Sequence, residues 1–139
     1  MSSFPKLFLD TNVLRNKDFL YWTQSNYHGT IYISTITYME FKRQMISKGK
    51  GDKVDTLIDK MGIRIVNFDK EMAKIAAEIM AERKDACCSE CGNIDWADTM
   101  IYASIGNPPT ILVTDNIKDF PERAKTTKEV MAIFACKEE

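Results

Sequence analysis

The chain has 139 residues, 45% hydrophobic and 28% charged, with a formal net charge of −1. That is enough for one domain with a real core and too few for two ordinary ones. The near balance of charge gives no global field to attract nucleic acid, so any such contact must come from a local basic patch.

No basic N-terminal region precedes a long apolar segment, and no apolar run approaches the roughly 18 residues of a membrane helix. Neither a signal peptide nor a membrane partner is expected, and a cytoplasmic location follows by default. The predicted elements then alternate. Phe4 to Leu9 is a short apolar strand, and Asp10-Thr11-Asn12 offers capping chemistry before Val13-Leu14. A helix through Phe19, Leu20 and Trp22 ends at Asn26 to Gly29. Thr30 to Ser34, rich in β-branched residues, is a second strand, after which Ser34 or Thr35 caps a helix carrying Ile36, Met39, Glu40 and Met45. Lys48 to Asp52 is a loop, Val54, Leu57, Ile58 and Met61 have helical spacing, and Gly62 ends that helix. Ile63 to Phe68 is a third strand, and Asp69 caps a helix with Met72, Ile75, Ala76, Ile79 and Met80 on one face. A Cys-rich loop reaches Gly92, Asn93 opens a helix running to Ile105, Asn107-Pro108-Pro109 is a turn, and Thr110 to Thr114 is a fourth strand. Beyond Phe120-Pro121 the pattern weakens, and Lys128 to Ala135 reads either as a last helix or as an edge strand. Strands alternating with helices, with little sign of hairpins, predict an α/β fold: a parallel sheet flanked by helices, in a single domain over residues 1–139.

Several apolar runs end on carboxylates: Leu7-Phe8-Leu9-Asp10, Ile36-Thr37-Tyr38-Met39-Glu40, Ile94-Asp95-Trp96-Ala97-Asp98 and Ile111-Leu112-Val113-Thr114-Asp115. Acids in such places are costly unless paired. The runs ending at Asp10 and Asp115 look like buried parallel strands, at whose carboxyl ends ligands collect. Acids converging there repel one another, and a bound cation is the usual remedy, so the pattern suggests a divalent-metal site. Each acid also has a plainer role. Asp10 can be an ordinary N-cap. Thr37 and Glu40 have capping-box spacing, unless the helix begins at Ser34 or Thr35 and Glu40 falls in its second turn. Asp95 and Asp98 share a helix face, and Asp95 suits the positive end of the helix dipole. That explanation serves Asp98 poorly, because Met100, Ile101 and Ala103 follow on an inward-looking stretch. Thr114 and Asp115 can cap a short helix, and Asp119 can be a solvated loop acid.

In this order, on these elements, the motifs resemble the PIN-domain ribonucleases, especially the small VapC-type toxins. Leu7-Phe8-Leu9-Asp10-Thr11-Asn12-Val13-Leu14 is similar to the family's opening strand with its first metal ligand, and Ile33-Ser34-Thr35-Ile36-Thr37-Tyr38-Met39-Glu40-Phe41 to its second strand, Ser/Thr turn and Glu. Ala97-Asp98-Thr99-Met100-Ile101-Tyr102-Ala103 resembles the Asp that opens an Ile-Ala-Ala helix, although Tyr102 departs from the usual small residue. Leu112-Val113-Thr114-Asp115-Asn116-Ile117-Lys118-Asp119-Phe120 resembles the last motif. The resemblance spans Leu7 to Phe120 and implies a PIN-like three-layer α/β/α domain with a central, mostly parallel sheet of four to five strands. It implies a Mg2+- or Mn2+-dependent endoribonuclease, the toxin of a toxin–antitoxin pair, with RNA as substrate, a small antitoxin as partner and a homodimer as the assembly.

The implied catalytic set is Asp10, Glu40, Asp98, Asp115 and Asp119, with Asp10, Asp98 and Asp115 as metal ligands and Thr11, Asn12, Thr114 and Asn116 in support. The fourth acid stays open, because Asn116 stands where members often carry Asp, and Asp115 and Asp119 flank it. Such ions prefer oxygen ligands and activate a bound water as nucleophile, so no covalent intermediate is expected. The single histidine, His28, lies in a predicted loop without a matching partner, which leaves no histidine-pair mechanism. RNA phosphates would meet Arg15, Lys17, Lys42, Arg43, Lys48, Lys50 or Lys53, unless these form only a solvated face.

Cys88 and Cys91 have the spacing of a zinc half-site, with Cys87 beside them, but no second half is visible. Structural zinc at Cys88/Cys91 is not expected; a redox-labile pair close to Asp95 and Asp98, or plain loop thiols, are the alternatives. Other readings fit less well. A haloacid-dehalogenase-type phosphatase needs a second Asp where Asn12 stands, and a phosphoacceptor receiver needs an acidic neighbour that Asp10 lacks. A PIN nuclease of RNA processing without an antitoxin, or a catalytically weak PIN fold that binds RNA or protein, remain as alternatives within the family.

Overall fold

Strand β1 (Leu7–Leu9) is buried on both faces, because it lies at the middle of the sheet. The structure, a computed structural model, describes residues 4–82, 96–106, 110–115 and 124–135. With β2 (Ile31–Ser34), β3 (Arg64–Val66), β4 (Ile111–Val113) and β5 (Ala124–Lys125), β1 forms an all-parallel five-stranded sheet in the order β3-β2-β1-β4-β5. Leu7 pairs with Ile31 on one side and Ile111 on the other.

Successive side chains of a strand point to opposite faces. Leu7 and Leu9 therefore meet Phe19 of α1 (Lys17–Asn26), Ile58 of α3 (Asp52–Met61) and Phe134 of α6 (Thr127–Ala135). Phe8 faces the other layer, with Leu112 and with Ile101 of α5 (Trp96–Ala103). Helix α4 (Lys70–Glu82) packs against α5, and α2 (Thr35–Ser47) follows β2 directly. The result is the expected α/β/α layering, with the sheet wholly parallel. No described helix is long and apolar enough to cross a membrane.

Several boundaries differ from the sequence reading. The first strand starts at Leu7, because Pro5 has no N–H for the ladder and Phe4 packs edge-on against Tyr27. The Tyr27 hydroxyl donates to the Pro5 carbonyl, and burial pushes this phenol well above its ordinary pKa. The third strand spans only Arg64–Val66, and the Phe68 N–H goes to Thr35 Oγ1 at 3.1 Å instead of to a neighbouring strand. Finally, residues 128–135 are helical, and the edge strand lies upstream at Ala124–Lys125. Thr126 and Glu129 make a reciprocal capping box, Thr126 N–H to Glu129 Oε1 at 3.0 Å and Glu129 N–H to Thr126 Oγ1 at 3.1 Å. The first of these bonds lowers the Glu129 pKa. The predicted opening of a helix at Asn93 and the turn at Asn107-Pro108-Pro109 lie outside the described residues.

Candidate functional site

The strand order turns around at β1: β2 and β3 add on one side, β4 and β5 on the other. At such a switch point the connections leave in opposite directions and open a crevice at the carboxyl ends of the strands. Asp10 follows β1, and Thr114 and Asp115 follow β4, so residues a hundred positions apart meet there. Thr114 Oγ1 donates to Asp10 Oδ2 at 2.8 Å.

Asp10 is only 3% exposed. It does cap the 3-10 helix Thr11–Arg15, accepting the Thr11 N–H at Oδ1 over 2.8 Å. Its other oxygen is held by Thr114 and by Asn12 Nδ2 at 3.1 Å, contacts that a cap does not need. The residue at position 12 must donate here, so an amide fits where a second carboxylate would add like charge. Asn12 Oδ1 accepts the Asp115 N–H at 3.4 Å, tying the two strand ends together.

Glu40 reaches the same place from α2. Ser34 Oγ accepts the Ile36 N–H at 3.0 Å, so the helix starts at Thr35 and Glu40 falls in the second turn, outside the capping-box role. The Thr11 hydroxyl donates to Glu40 Oε1 at 2.6 Å, a short bond of the charge-assisted kind. Thr11 thus gives its N–H to one carboxylate and its hydroxyl to the other. All of these donors to a cation are oxygens, a set suited to a hard ion such as Mg2+ or Mn2+ and poorly suited to soft metals.

Asp115, the third predicted metal ligand, has partners of its own at the start of α6. Its Oδ1 accepts the Thr127 N–H at 2.9 Å and the Thr127 hydroxyl at 3.0 Å, and Oδ2 lies 3.2 Å from the same hydroxyl. Asn16 Nδ2 donates to Thr127 Oγ1 at 3.4 Å. The Asp115 carboxylate therefore serves the start of α6. Asp115→Ala is expected to lower stability by about 1 kcal/mol, the usual cost of a lost cap. A thermal melt should show a fall of a few degrees, and an unchanged midpoint would mean that the Thr127 bonds contribute nothing.

Asp98 lies in the first turn of α5, three residues before Ile101. Its side chain, and all of Asn116, Asp119, Asp95, Cys87, Cys88, Cys91 and Cys136, lie outside what the structure describes. Among the described residues no three of His, Cys, Asp and Glu gather as a metal-binding group; Asp10 and Glu40 are the carboxylates joined through Thr11.

Of the cations offered to RNA, Lys42 is engaged elsewhere. Its ammonium donates to Asp55 Oδ2 at 2.8 Å and to the Gly51 carbonyl at 3.0 Å, and Tyr38 donates to Asp55 Oδ1 at 2.8 Å. This ties α2 to α3; the bond between them raises the Lys42 pKa and lowers that of Asp55. Arg43 is exposed on α2. Arg15, Lys17, Lys48, Lys50 and Lys53 line one cavity beside α1, a convergence that sequence spacing did not show.

The PIN domain family's model matches residues 7–125. Solved structures share the fold at low identity. A toxin–antitoxin complex from Klebsiella pneumoniae is 20% identical with a TM-score of 0.68, covering 87% of this chain and 97% of that one. DNA-bound VapBC from Salmonella typhimurium is 22% identical with a TM-score of 0.64, covering 88% and 98%. VapBC2 from Rickettsia felis, bound to a fragment of promoter DNA, is 20% identical with a TM-score of 0.63, covering 87% and 98%. No curated protein sequence matches the chain significantly.

Proposed function

Because the chain belongs to the PIN domain family, we propose that it is a metal-dependent endoribonuclease and the toxin of a toxin–antitoxin pair. The observation that carries this reading is the pair Asp10 and Glu40, brought from separate elements to the switch point and linked through Thr11. The similarity to solved toxin–antitoxin complexes supports an antitoxin partner. A homodimer is proposed with it.

Asp10, Glu40 and Asp98 would hold Mg2+ or Mn2+, which when bound lowers the pKa of a water and neutralises charge on the scissile phosphate. Asn12 and Thr114 fix the orientation of the Asp10 carboxylate. Asp119 takes the fourth place in this proposal, because the Asp115 carboxylate already serves Thr127. An acid left off the metal would orient the attacking water. His28 is exposed beyond the end of α1, so proton transfer falls to the carboxylates. Exposed Arg43, three residues after Glu40, is placed to meet a backbone phosphate.

The test is RNA cleavage with Mg2+ or Mn2+, with and without chelator. Metal-dependent cleavage that survives both Asp10→Asn and Asp98→Asn overturns the site. In the same assay Asp119→Asn should lower the rate by about a hundredfold, and Asp115→Asn, which keeps an acceptor for Thr127, should change it far less. The reverse order would return Asp115 to the metal.

A further inference from the structure

Thr127, the first residue of α6, is 3% exposed, and its hydroxyl has partners on two other segments. It donates to Asp115 Oδ1 at 3.0 Å and accepts from Asn16 Nδ2 at 3.4 Å. Asp115 follows β4, and Asn16 joins the 3-10 helix Thr11–Arg15 to α1. One buried hydroxyl thus fastens the end of β4, the end of the 3-10 helix and the start of α6.

The bonds continue from there to Asp10. The Asp115 N–H donates to Asn12 Oδ1 at 3.4 Å, and Asn12 Nδ2 donates to Asp10 Oδ2 at 3.1 Å. The 3-10 helix closes the ring through its backbone, with the Val13 N–H on the Asp10 carbonyl at 3.1 Å and the Asn16 N–H on the Val13 carbonyl at 3.0 Å. A backbone N–H can only donate, so the Asn12 atom facing Asp115 is the oxygen, and the NH2 is left for Asp10. The position of the Asp115 N–H is set by the segment that leads into α6. There the Thr114 N–H goes to the Lys125 carbonyl at 3.0 Å, and the Asp115 carboxylate goes to Thr127. Capping α6 does not call for the hydroxyl. A cap needs only the Thr127 N–H, which Asp115 Oδ1 accepts at 2.9 Å, and the Thr126–Glu129 box serves the same turn.

We propose that Thr127 is a positioning residue for the carboxylate site: through Asp115 and the Asn12 amide, its hydroxyl fixes the orientation in which Asp10 receives a divalent cation. That consequence rests on the metal-dependent reading above; the bonded route itself does not. Loss of a group that orients a metal ligand directly typically weakens metal affinity by roughly 10–100-fold. Thr127 acts through two residues, and one link of the route is long at 3.4 Å, so its loss is expected to cost less, about fivefold.

The experiment compares the full chain with Thr127→Val, Thr127→Ala and Thr127→Ser, and with Thr23→Val as the control. Thr23 is another buried threonine, whose hydroxyl donates to the Leu20 carbonyl of its own helix at 2.7 Å. Nuclear magnetic resonance of the metal-free proteins reads the side-chain NH2 of Asn12, and calorimetric titration reads the affinity for Mn2+. Thr127→Val and Thr127→Ala should both shift the Asn12 signals and weaken Mn2+ about fivefold. Thr127→Ser keeps the hydroxyl and should stay close to the parent chain. Thr23→Val should change neither reading, whatever it does to the melting point. Unmoved Asn12 signals, an unchanged Mn2+ affinity, or an equal loss in Thr127→Ser or Thr23→Val overturns the proposal. A parent chain that neither binds Mn2+ nor cleaves RNA overturns the metal-dependent reading and this consequence with it, while the Asn12 signals still decide the route from Thr127.

Discussion

Asp10→Asn should lower metal-dependent RNA cleavage by about a thousandfold, the scale on which charge stabilisation of a displacement is lost. The carboxylate is nearly buried, and its oxygens accept from the Thr11 N–H, the Asn12 amide and the Thr114 hydroxyl. An amide at position 10 keeps the shape but removes the charge and turns one acceptor into a donor. That NH2 must then face the Thr11 N–H or the pair Asn12 and Thr114, a conflict that costs about 1–3 kcal/mol of stability. The loss of rate should therefore come with a modestly lower melting point and an unchanged circular dichroism spectrum. Retained cleavage in a well-folded variant would remove Asp10 from the site.

Phe8→Ala is the second substitution with a large expected effect, here on stability. Phe8 is 2% exposed and packs on Leu112, Ile101 and Ile105. Truncating a buried Phe costs about 3–5 kcal/mol, out of a total of about 5–15 kcal/mol for a typical domain. Urea unfolding should show the midpoint falling with the slope unchanged. The position matters as well as the magnitude. Phe8 is the seat of α5, the helix that carries Asp98, whereas fully buried Phe19 packs on the opposite face. Phe19→Ala should cost a similar free energy but less cleavage activity, measured at a temperature where both variants are folded. Equal activity losses would show that Phe8 does not position α5 for the reaction.

Much of this was legible in the sequence because it is local. The helices over residues 17–26, 35–47, 52–61 and 70–82 follow from apolar spacing and from caps within a few positions, such as Asn16 Oδ1 on the Phe19 N–H and Asp69 Oδ1 on the Met72 N–H. Glu40 was readable as a second-turn residue once Ser34 was taken as the cap. Even α6 had a signal, the Thr126–Glu129 capping box, which would have decided for a helix over 128–135.

What only the tertiary structure decided is which distant groups become neighbours. Thr114 and Asn12 fit several roles by type; the placement of β4 beside β1 turns them into partners of Asp10. The partner of Asp115 is Thr127, twelve residues on, and the partner of Lys42 is Asp55, because β5 and the α2–α3 pairing bring those groups within reach. A side chain's chemistry is fixed by its own atoms and its backbone conformation largely by near neighbours. Its hydrogen-bond partner is settled by strand order and helix packing, long-range choices driven by burial of apolar surface. The sequence by itself thus determined which acids were available to a site, and the folded chain decided that Asp10 and Glu40 share Thr11 while Asp115 holds α6.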